Sequence, residues 1–149
     1  MQKMHIAKAR PLMLQPAIYY KRVQTMQSLQ TPVAGRVALK GFFHIMEKWL
    51  LDNEQARVLL GGISKTTFYR YKKLPEVALQ IDTLNRISYI MGIYKGLHSL
   101  FTEEAQANQW IKRPNAAMPF KGKSALDRML QGGMDDLAEV RQYIDEQCN

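Results

Sequence analysis

Apolar residues recur every three or four positions along the chain from Gly35 onwards, a spacing that predicts a series of amphipathic helices. The first of these helices has one broad apolar face, made of Leu39, Phe42, Phe43, Met46, Trp49 and Leu50. No segment shows the strict alternation of a strand or the turn signal of a hairpin. The predicted fold class is therefore all-α.

Two short helices are predicted after the first one. Asp52 or Asn53 is the expected N-cap of the earlier helix, because a short oxygen-bearing side chain satisfies the free N–H groups there. Gly61-Gly62 ends that helix, since glycine tolerates the left-handed position beyond a helix end. Ser64 is the expected N-cap of the later helix, residues 65–73.

Long and short helices alternate in the prediction for the C-terminal half. One long helix runs from about residue 81 to 101. Its predicted buried stripe is Leu84, Ile87, Met91, Tyr94 and Leu97, widened by Ile90, Ile93 and Leu100. A short helix ending near Ile111 and a loop follow. Ser124 then caps another short helix, with Asp127 placed to complete a capping box. The last predicted helix covers residues 135–147, with Leu137, Val140, Tyr143 and Ile144 on one face.

This pattern predicts three parts. Residues 1–34 have no clean period and several prolines, which is typical of a basic, flexible arm; an arm that contacts a phosphate backbone is the alternative interpretation. Residues 35–79 hold a helix-turn-helix pattern. Residues 80–149 form a second helical part.

Charge adds a distinction between the two ends of the chain. The formal net charge is +8 and the pI about 9.7, which favours an anionic partner such as nucleic acid, with ribosome-like binding or a membrane surface as alternatives. Residues 1–33 carry five basic and no acidic side chains, whereas residues 121–149 carry four basic and six acidic ones. A basic front and an acidic end suggest two different partners.

Several classes of protein are disfavoured. The single cysteine, Cys148, excludes an internal disulfide and fits a cytoplasmic protein. No apolar run is long enough for a membrane helix, and no signal peptide is predicted. His5, His44 and His98 lack metal-ligand spacing, and no catalytic constellation is evident, so neither an enzyme nor a cofactor is expected.

The helix-turn-helix pattern supplies the first candidate site. A short helix, a glycine turn and a serine-capped second helix form the arrangement that sets a recognition helix into the major groove. The expected DNA-binding residues are Ser64, Lys65, Thr66, Tyr69, Arg70 and Lys73. Arg70 is best suited to a guanine edge, while Lys65 and Lys73 suit phosphates. A helical hairpin with a solvated basic face is the alternative.

A loop near the C-terminus supplies the second candidate site. The stretch from Trp110 to Leu126 passes through Pro114-Asn115 and keeps Met118 and Phe120 among its turn residues. Apolar side chains in a loop predict either an interaction surface or packing against the chain's own helices.

Three blocks together resemble a known family. They are LLGGISKTTFYRYKK at 59–73, LNRISYIMGIY at 84–94 and WIKRPNAAMPFKGKSALDRML at 110–130. The last block, with its Trp, Pro-Asn pair and Leu-Asp in that order, resembles the C-terminal toxin-binding domain of the Xre/MbcA/ParS antitoxins.

The resemblance implies an antitoxin of a type II toxin–antitoxin system. Such a protein forms a homodimer, represses its own operon by binding operator DNA, and neutralises a cognate toxin by direct binding. The commonest toxin for this architecture is a RES-domain protein that degrades NAD⁺. Residues 80–149 would then be the dimerisation and toxin-binding domain.

The acidic end gives a physical reason for the same interpretation. A toxin that binds a dinucleotide needs a cationic cleft, and an acidic helix is suited to enter it. The hypothesis places the acidic helix at the toxin active site, and the expected toxin-binding residues are Pro114, Asn115, Met118, Phe120, Tyr143, Ile144, Asp145, Glu146 and Asn149. An ordinary amphipathic closing helix is the alternative. At the level of function, a stand-alone dimeric helix-turn-helix regulator and an adaptor without DNA contacts remain open.

Overall fold

The computed structural model describes Ala17, Ile18, Lys21, Gln24 and residues 28–149. The helices of residues 28–149 are α1 (Pro32–Lys48), α2 (Asn53–Leu59), α3 (Lys65–Lys72), α4 (Ile81–Leu100), α5 (Glu104–Gln109), a 3₁₀ turn (Trp110–Lys112), α6 (Ala125–Met129) and α7 (Met134–Cys148). An isolated antiparallel bridge joins Pro114 and Ser124, and no strand occurs in this part of the chain. The all-α prediction is confirmed.

Most of the predicted flexible arm, residues 1–34, lies outside the described residues. Within it, the described positions 17, 18, 21 and 24 are helical and exposed. Helix α1 begins three residues before the predicted start at Gly35. The reason is local: Thr31 is the N-cap and accepts a hydrogen bond from the Ala34 N–H at 3.2 Å, while Pro32 starts the helix.

The predicted caps of the later helices are confirmed. The Asp52 carboxylate accepts from the Gln55 N–H at 2.8 Å, and the Gln55 side chain accepts from the Asp52 N–H at 2.9 Å. Ser64 caps α3, and Ser124 caps α6 in the predicted reciprocal pair with Asp127. Each cap contributes about 1 kcal/mol.

The helices before and after the loop of residues 114–124 share one apolar core. Trp49 is buried in it, as expected, and α4 runs through its centre between α1 and α7. Three predicted core positions are wrong. Leu50 is 81% exposed, because the chain leaves α1 there in a left-handed conformation (φ 54°). Met91 and Leu100 on α4 are 42% and 38% exposed, whereas Ile90 of the same helix is buried as predicted.

Helix α7 lies directly against α4 at two glycines. A methyl group at Gly96 would overlap the side chain of Ile144, and one at Gly92 would overlap the Arg141 guanidinium. Near the end of α7, the Cys148 thiol points to the Gly96 carbonyl at 3.7 Å. The small residues of α4 therefore set how closely α7 approaches.

A buried arginine connects the glycine turn of the helix-turn-helix to the turn before α7. Arg86 is 9% exposed, and its guanidinium donates to the Gly132 carbonyl at 2.9 Å and to Asp82 at 3.2 Å. The same side chain lies under Gly61, where an added methyl group would come 3.0 Å from its Nε. Arg86 thus holds the glycine turn of the helix-turn-helix close to the turn that precedes α7.

Two polar contacts also link α1 to the region around α5. The Lys48 ammonium lies 3.1 Å from the Glu104 carboxylate, and Lys112 donates to the Leu50 carbonyl at 3.3 Å. The hydrogen bond between Lys48 and Glu104 holds the pKa of Glu104 below its usual range and raises the pKa of Lys48. Both groups are exposed, so this ion pair contributes little to the free energy of unfolding.

Candidate functional site

The glycine turn between α2 and α3 is closed by its own backbone. The Gly61 N–H donates to the Val58 carbonyl at 2.9 Å, and the Gly62 N–H donates to the Arg57 carbonyl at 3.0 Å. Both glycines have positive φ angles, 98° and 70°. The Arg57 guanidinium also donates to the Ile63 carbonyl at 2.8 Å, so the turn has a fixed shape.

Helix α3 is anchored on its inner side by aromatic residues. Phe68 is buried and its ring centre lies 5.7 Å from that of Phe43, in an edge-to-face arrangement. Lys72, which the sequence did not single out, donates to the Asn53 side chain at 2.9 Å and lies about 6 Å from both rings. This lysine ties α3 to the start of α2.

All six predicted DNA-binding residues are exposed, and their spacing places the five that follow Ser64 on one side of α3. The Arg70 guanidinium carbon lies 5.2 Å from the ring centre of Tyr71. Ser64 is engaged as the cap, since its hydroxyl accepts from the Thr67 N–H and donates to the Thr67 hydroxyl. The helix therefore presents an anchored, basic outer face, and DNA contact by these residues stays a prediction.

The loop of residues 114–124, here called the C-terminal loop, is closed at its base by Asn115. The Asn115 N–H donates to the Lys123 carbonyl at 3.0 Å, and its carbonyl accepts from the Gly122 N–H at 2.8 Å. Its side-chain oxygen accepts from the Ala117 N–H at 2.9 Å. Gly122 has a φ of 89°, which favours glycine at the closing turn. The predicted Asn115 is thus a shaping residue of this loop.

Three aromatic side chains join the C-terminal loop to the helices on either side. Trp110 stacks on Tyr143 with ring centres 6.0 Å apart, and Phe120 meets both rings edge-on at 5.8 and 5.0 Å. Each ring comes from a different element: the 3₁₀ turn, the loop and α7. Edge-to-face and stacked pairs of this kind stabilise by more than their buried area alone.

The burial of these residues corrects part of the predicted toxin-binding set. Phe120 is 3% exposed and Ile144 is fully buried, so neither side chain is available to a partner in this conformation. Phe120 packs into the aromatic group, and Ile144 packs against Gly96 of α4. Met118, by contrast, is 67% exposed, and Pro114 is also exposed.

The acidic residues of α7 have different partners. Asp145 accepts two hydrogen bonds of 3.1 Å from Arg141, whose guanidinium also reaches towards α4. Glu146, its neighbour in sequence, accepts a hydrogen bond of 3.2 Å from the neutral Gln142 amide. Asn149 is exposed at the end of the helix. Asp145 is therefore neutralised by an adjacent charge, and Glu146 is not.

Tyr143 lies between two surface grooves of about 210 and 220 Å³. The first, here called the loop–helix groove, is lined by Met118, Pro119, Glu139, Gln142, Tyr143 and Glu146. The second is lined by Leu100, Phe101, Trp110, Tyr143, Ile144 and Gln147. The sequence analysis did not predict Glu139 and Gln142 as site residues. Their spacing from Glu146 could have indicated them, because residues three, four and seven apart lie on the same side of a helix.

The described residues offer no metal site, since no three His, Cys, Asp or Glu side chains among them cluster suitably. None of the described helices has both the length and the apolar character that a bilayer span requires. The features that remain are surfaces: a basic helix at one end, and a rigid loop beside an acidic helix at the other.

Two family models match this chain. Residues 28–92 match the model of the antitoxin Xre-like helix-turn-helix domain. Residues 97–147 match that of the antitoxin Xre/MbcA/ParS C-terminal toxin-binding domain. The chain is also 45% identical over 109 residues to the uncharacterized protein y4oB of Sinorhizobium fredii (strain NBRC 101917 / NGR234), covering 73% of this chain and 82% of that one.

Proposed function

Because the chain belongs to the Xre/MbcA/ParS antitoxin family, with a helix-turn-helix domain and a toxin-binding domain, we propose that it is the antitoxin of a type II system whose toxin is a RES-domain enzyme that degrades NAD⁺. It acts in the cytoplasm as a homodimer. It neutralises the toxin by direct binding through the C-terminal domain and represses its own operon through α3.

The observation that carries the neutralising role is the construction of the C-terminal surface. Within the matched toxin-binding region, the C-terminal loop is held rigid by Asn115 and by the aromatic group, yet it leaves Met118 exposed beside Tyr143. A rigid surface binds with a smaller entropic cost than a loop that must be ordered first. This arrangement favours a preformed docking surface for a second protein.

The acidic end of α7 supports the proposed mode of inhibition. Glu146 lies on the last turn of α7 with no cationic partner among the described residues, and Asn149 follows the helix, whereas Asp145 is held by Arg141. A toxin cleft that binds a pyrophosphate is cationic, and the unpaired Glu146 carboxylate is complementary to it. We assign Asp145 a supporting role in this mode and Glu146 the direct one.

Expression of the protein encoded by the adjacent reading frame tests the proposal. Alone, that protein should arrest growth and deplete cellular NAD⁺, and co-expression of this chain should restore both. The two proteins should also co-purify in a stable complex. If growth arrest and NAD⁺ loss persist with this chain present in excess, the antitoxin role is wrong. If the two proteins do not associate but the chain still binds upstream DNA, a stand-alone regulator is favoured.

Repression is tested through α3. Arg70→Ala should weaken binding to the DNA upstream of the chain's own coding sequence by about 10- to 100-fold and leave binding to random DNA nearly unchanged, because a guanine edge is lost. Lys73→Ala, the matched control, should weaken binding to both DNAs alike and lower the salt dependence by about one ion. Fluorescence anisotropy at several salt concentrations measures both. Equal losses for Arg70→Ala on both DNAs would assign it to a phosphate.

A further inference from the structure

The loop–helix groove has a charge that its own walls do not neutralise. Two carboxylates line it. Glu139 accepts from Arg128 at 2.8 Å, and Arg128 also pairs with Asp136 at 3.1 Å. Glu146 is bonded only to an amide, and within the described residues no cation lies at ion-pair distance from it. The groove therefore presents an uncompensated carboxylate at its edge.

The rest of the groove is apolar and adaptable. Met118 projects from the loop with 67% of its surface exposed, and Pro119 and the Tyr143 ring complete the wall. Methionine adjusts its shape to what it contacts, so this wall suits the apolar stem of an incoming side chain. Among the described residues, the Tyr143 hydroxyl also has no hydrogen-bond partner.

The size of the groove limits what it accepts. Its volume of about 210 Å³ is below the range of roughly 300–1,000 Å³ that is usual for small-molecule sites. It is also an open groove beside a single helix, so it holds one long side chain rather than a whole helix. An apolar stem with a cationic head matches both its wall and its charge.

We infer that the loop–helix groove receives an arginine or lysine side chain of the partner protein, with its charged head on Glu146 and its stem between Met118 and Tyr143. Arginine fits best, because its guanidinium forms two hydrogen bonds to a carboxylate and packs against a tyrosine ring. An acidic segment is disfavoured by Glu139 and Glu146, and the α7 helix of a second copy is disfavoured for the same reason. The identity of the partner as the toxin rests on the proposed function.

The test uses the full-length chain and the protein encoded by the adjacent reading frame, with affinity measured by calorimetry at two salt concentrations. Glu146→Gln keeps the shape and removes the charge, and it should weaken the complex about tenfold and reduce its salt dependence. Glu146→Arg should weaken it by about a hundredfold or more, because a like charge then faces the incoming side chain. Met118→Ala should weaken it several-fold without changing the salt dependence.

The matched control is Asp135→Asn. Asp135 is an exposed residue in the first turn of the same helix and does not line the groove, so the loss of its carboxylate should leave affinity within about twofold of the original. Thermal unfolding of each variant confirms that the fold is retained. A charge reversal of one toxin arginine or lysine that restores binding to Glu146→Arg would identify the side chain that occupies the groove.

The outcomes separate this inference from the proposed function. If the original chain does not bind the adjacent-frame protein, the proposed partner is wrong. If it binds and Glu146→Gln, Glu146→Arg and Met118→Ala all behave like Asp135→Asn, the groove has no such role. Tighter binding by Glu146→Arg would overturn the inference in favour of an acidic occupant. If Glu146→Arg changes the self-association of the chain alone, measured by sedimentation, the groove receives a second copy of the chain and the inference is wrong.

Discussion

Phe120→Ala should lower the free energy of unfolding by about 3–5 kcal/mol, the usual cost of deleting a buried aromatic ring. The ring is 3% exposed and contacts both Trp110 and Tyr143, so its loss leaves a cavity where the C-terminal loop, the 3₁₀ turn and α7 meet. Urea unfolding followed by circular dichroism measures the change. Binding of the adjacent-frame protein should fall as well, because the loop loses its support.

The matched variant is Met118→Ala, two residues earlier in the same loop. Its side chain is 67% exposed, and a substitution there should change stability by less than about 0.5 kcal/mol. Sequence alone treats the two residues alike, as apolar members of one loop. Similar losses of stability for both variants would mean that the loop does not pack as described.

Gly96→Ala should destabilise the protein by about 1–3 kcal/mol, because the added methyl group overlaps the buried Ile144 side chain and pushes α7 away from α4. Alanine also gains up to about 1 kcal/mol of helix propensity over glycine, so the net loss underestimates the clash. DNA binding by α3 should survive better than binding of the partner protein. Urea unfolding and the two binding assays measure these effects.

Gly92→Ala is the control for this change. The three atoms nearest to a methyl group at Gly92, one turn earlier in α4, all belong to the guanidinium of Arg141, the end of a flexible side chain that is able to move aside. Its stability should therefore stay within about 1 kcal/mol of the original, with helix propensity in its favour. A loss as large as that of Gly96→Ala would show that close packing at the Ile144 side chain is not the cause.

The sequence predicted the features that depend on near neighbours. The caps at Asp52, Ser64 and Ser124 are confirmed, because an N-cap bonds to N–H groups two or three residues away. The glycine turn before α3 is confirmed for a similar reason. Periodicity placed the helices well. It failed at Leu50, where a helix end changes the direction of the side chain, and also at Met91 in the middle of α4.

The division of the apolar loop residues was not predictable in the same way. Phe120 and Met118 have similar hydrophobicity and lie on either side of Pro119. Phe120 is buried because the rings of Trp110 and Tyr143, from two other elements, pack against it, whereas Met118 is 67% exposed. Contacts of this kind depend on how elements far apart in sequence come together.

The acidic end of the chain shows the same limit most clearly. By itself, the sequence determined that Asp145 and Glu146 lie on an acidic amphipathic helix, since composition and period are local properties. The pairing of Asp145 with Arg141, four residues earlier on the same helix, is local as well. Only the tertiary structure decided that Glu146 lines the loop–helix groove. Adjacent residues on a helix point about 100° apart, so what each one meets depends on which distant elements cover each side of that helix.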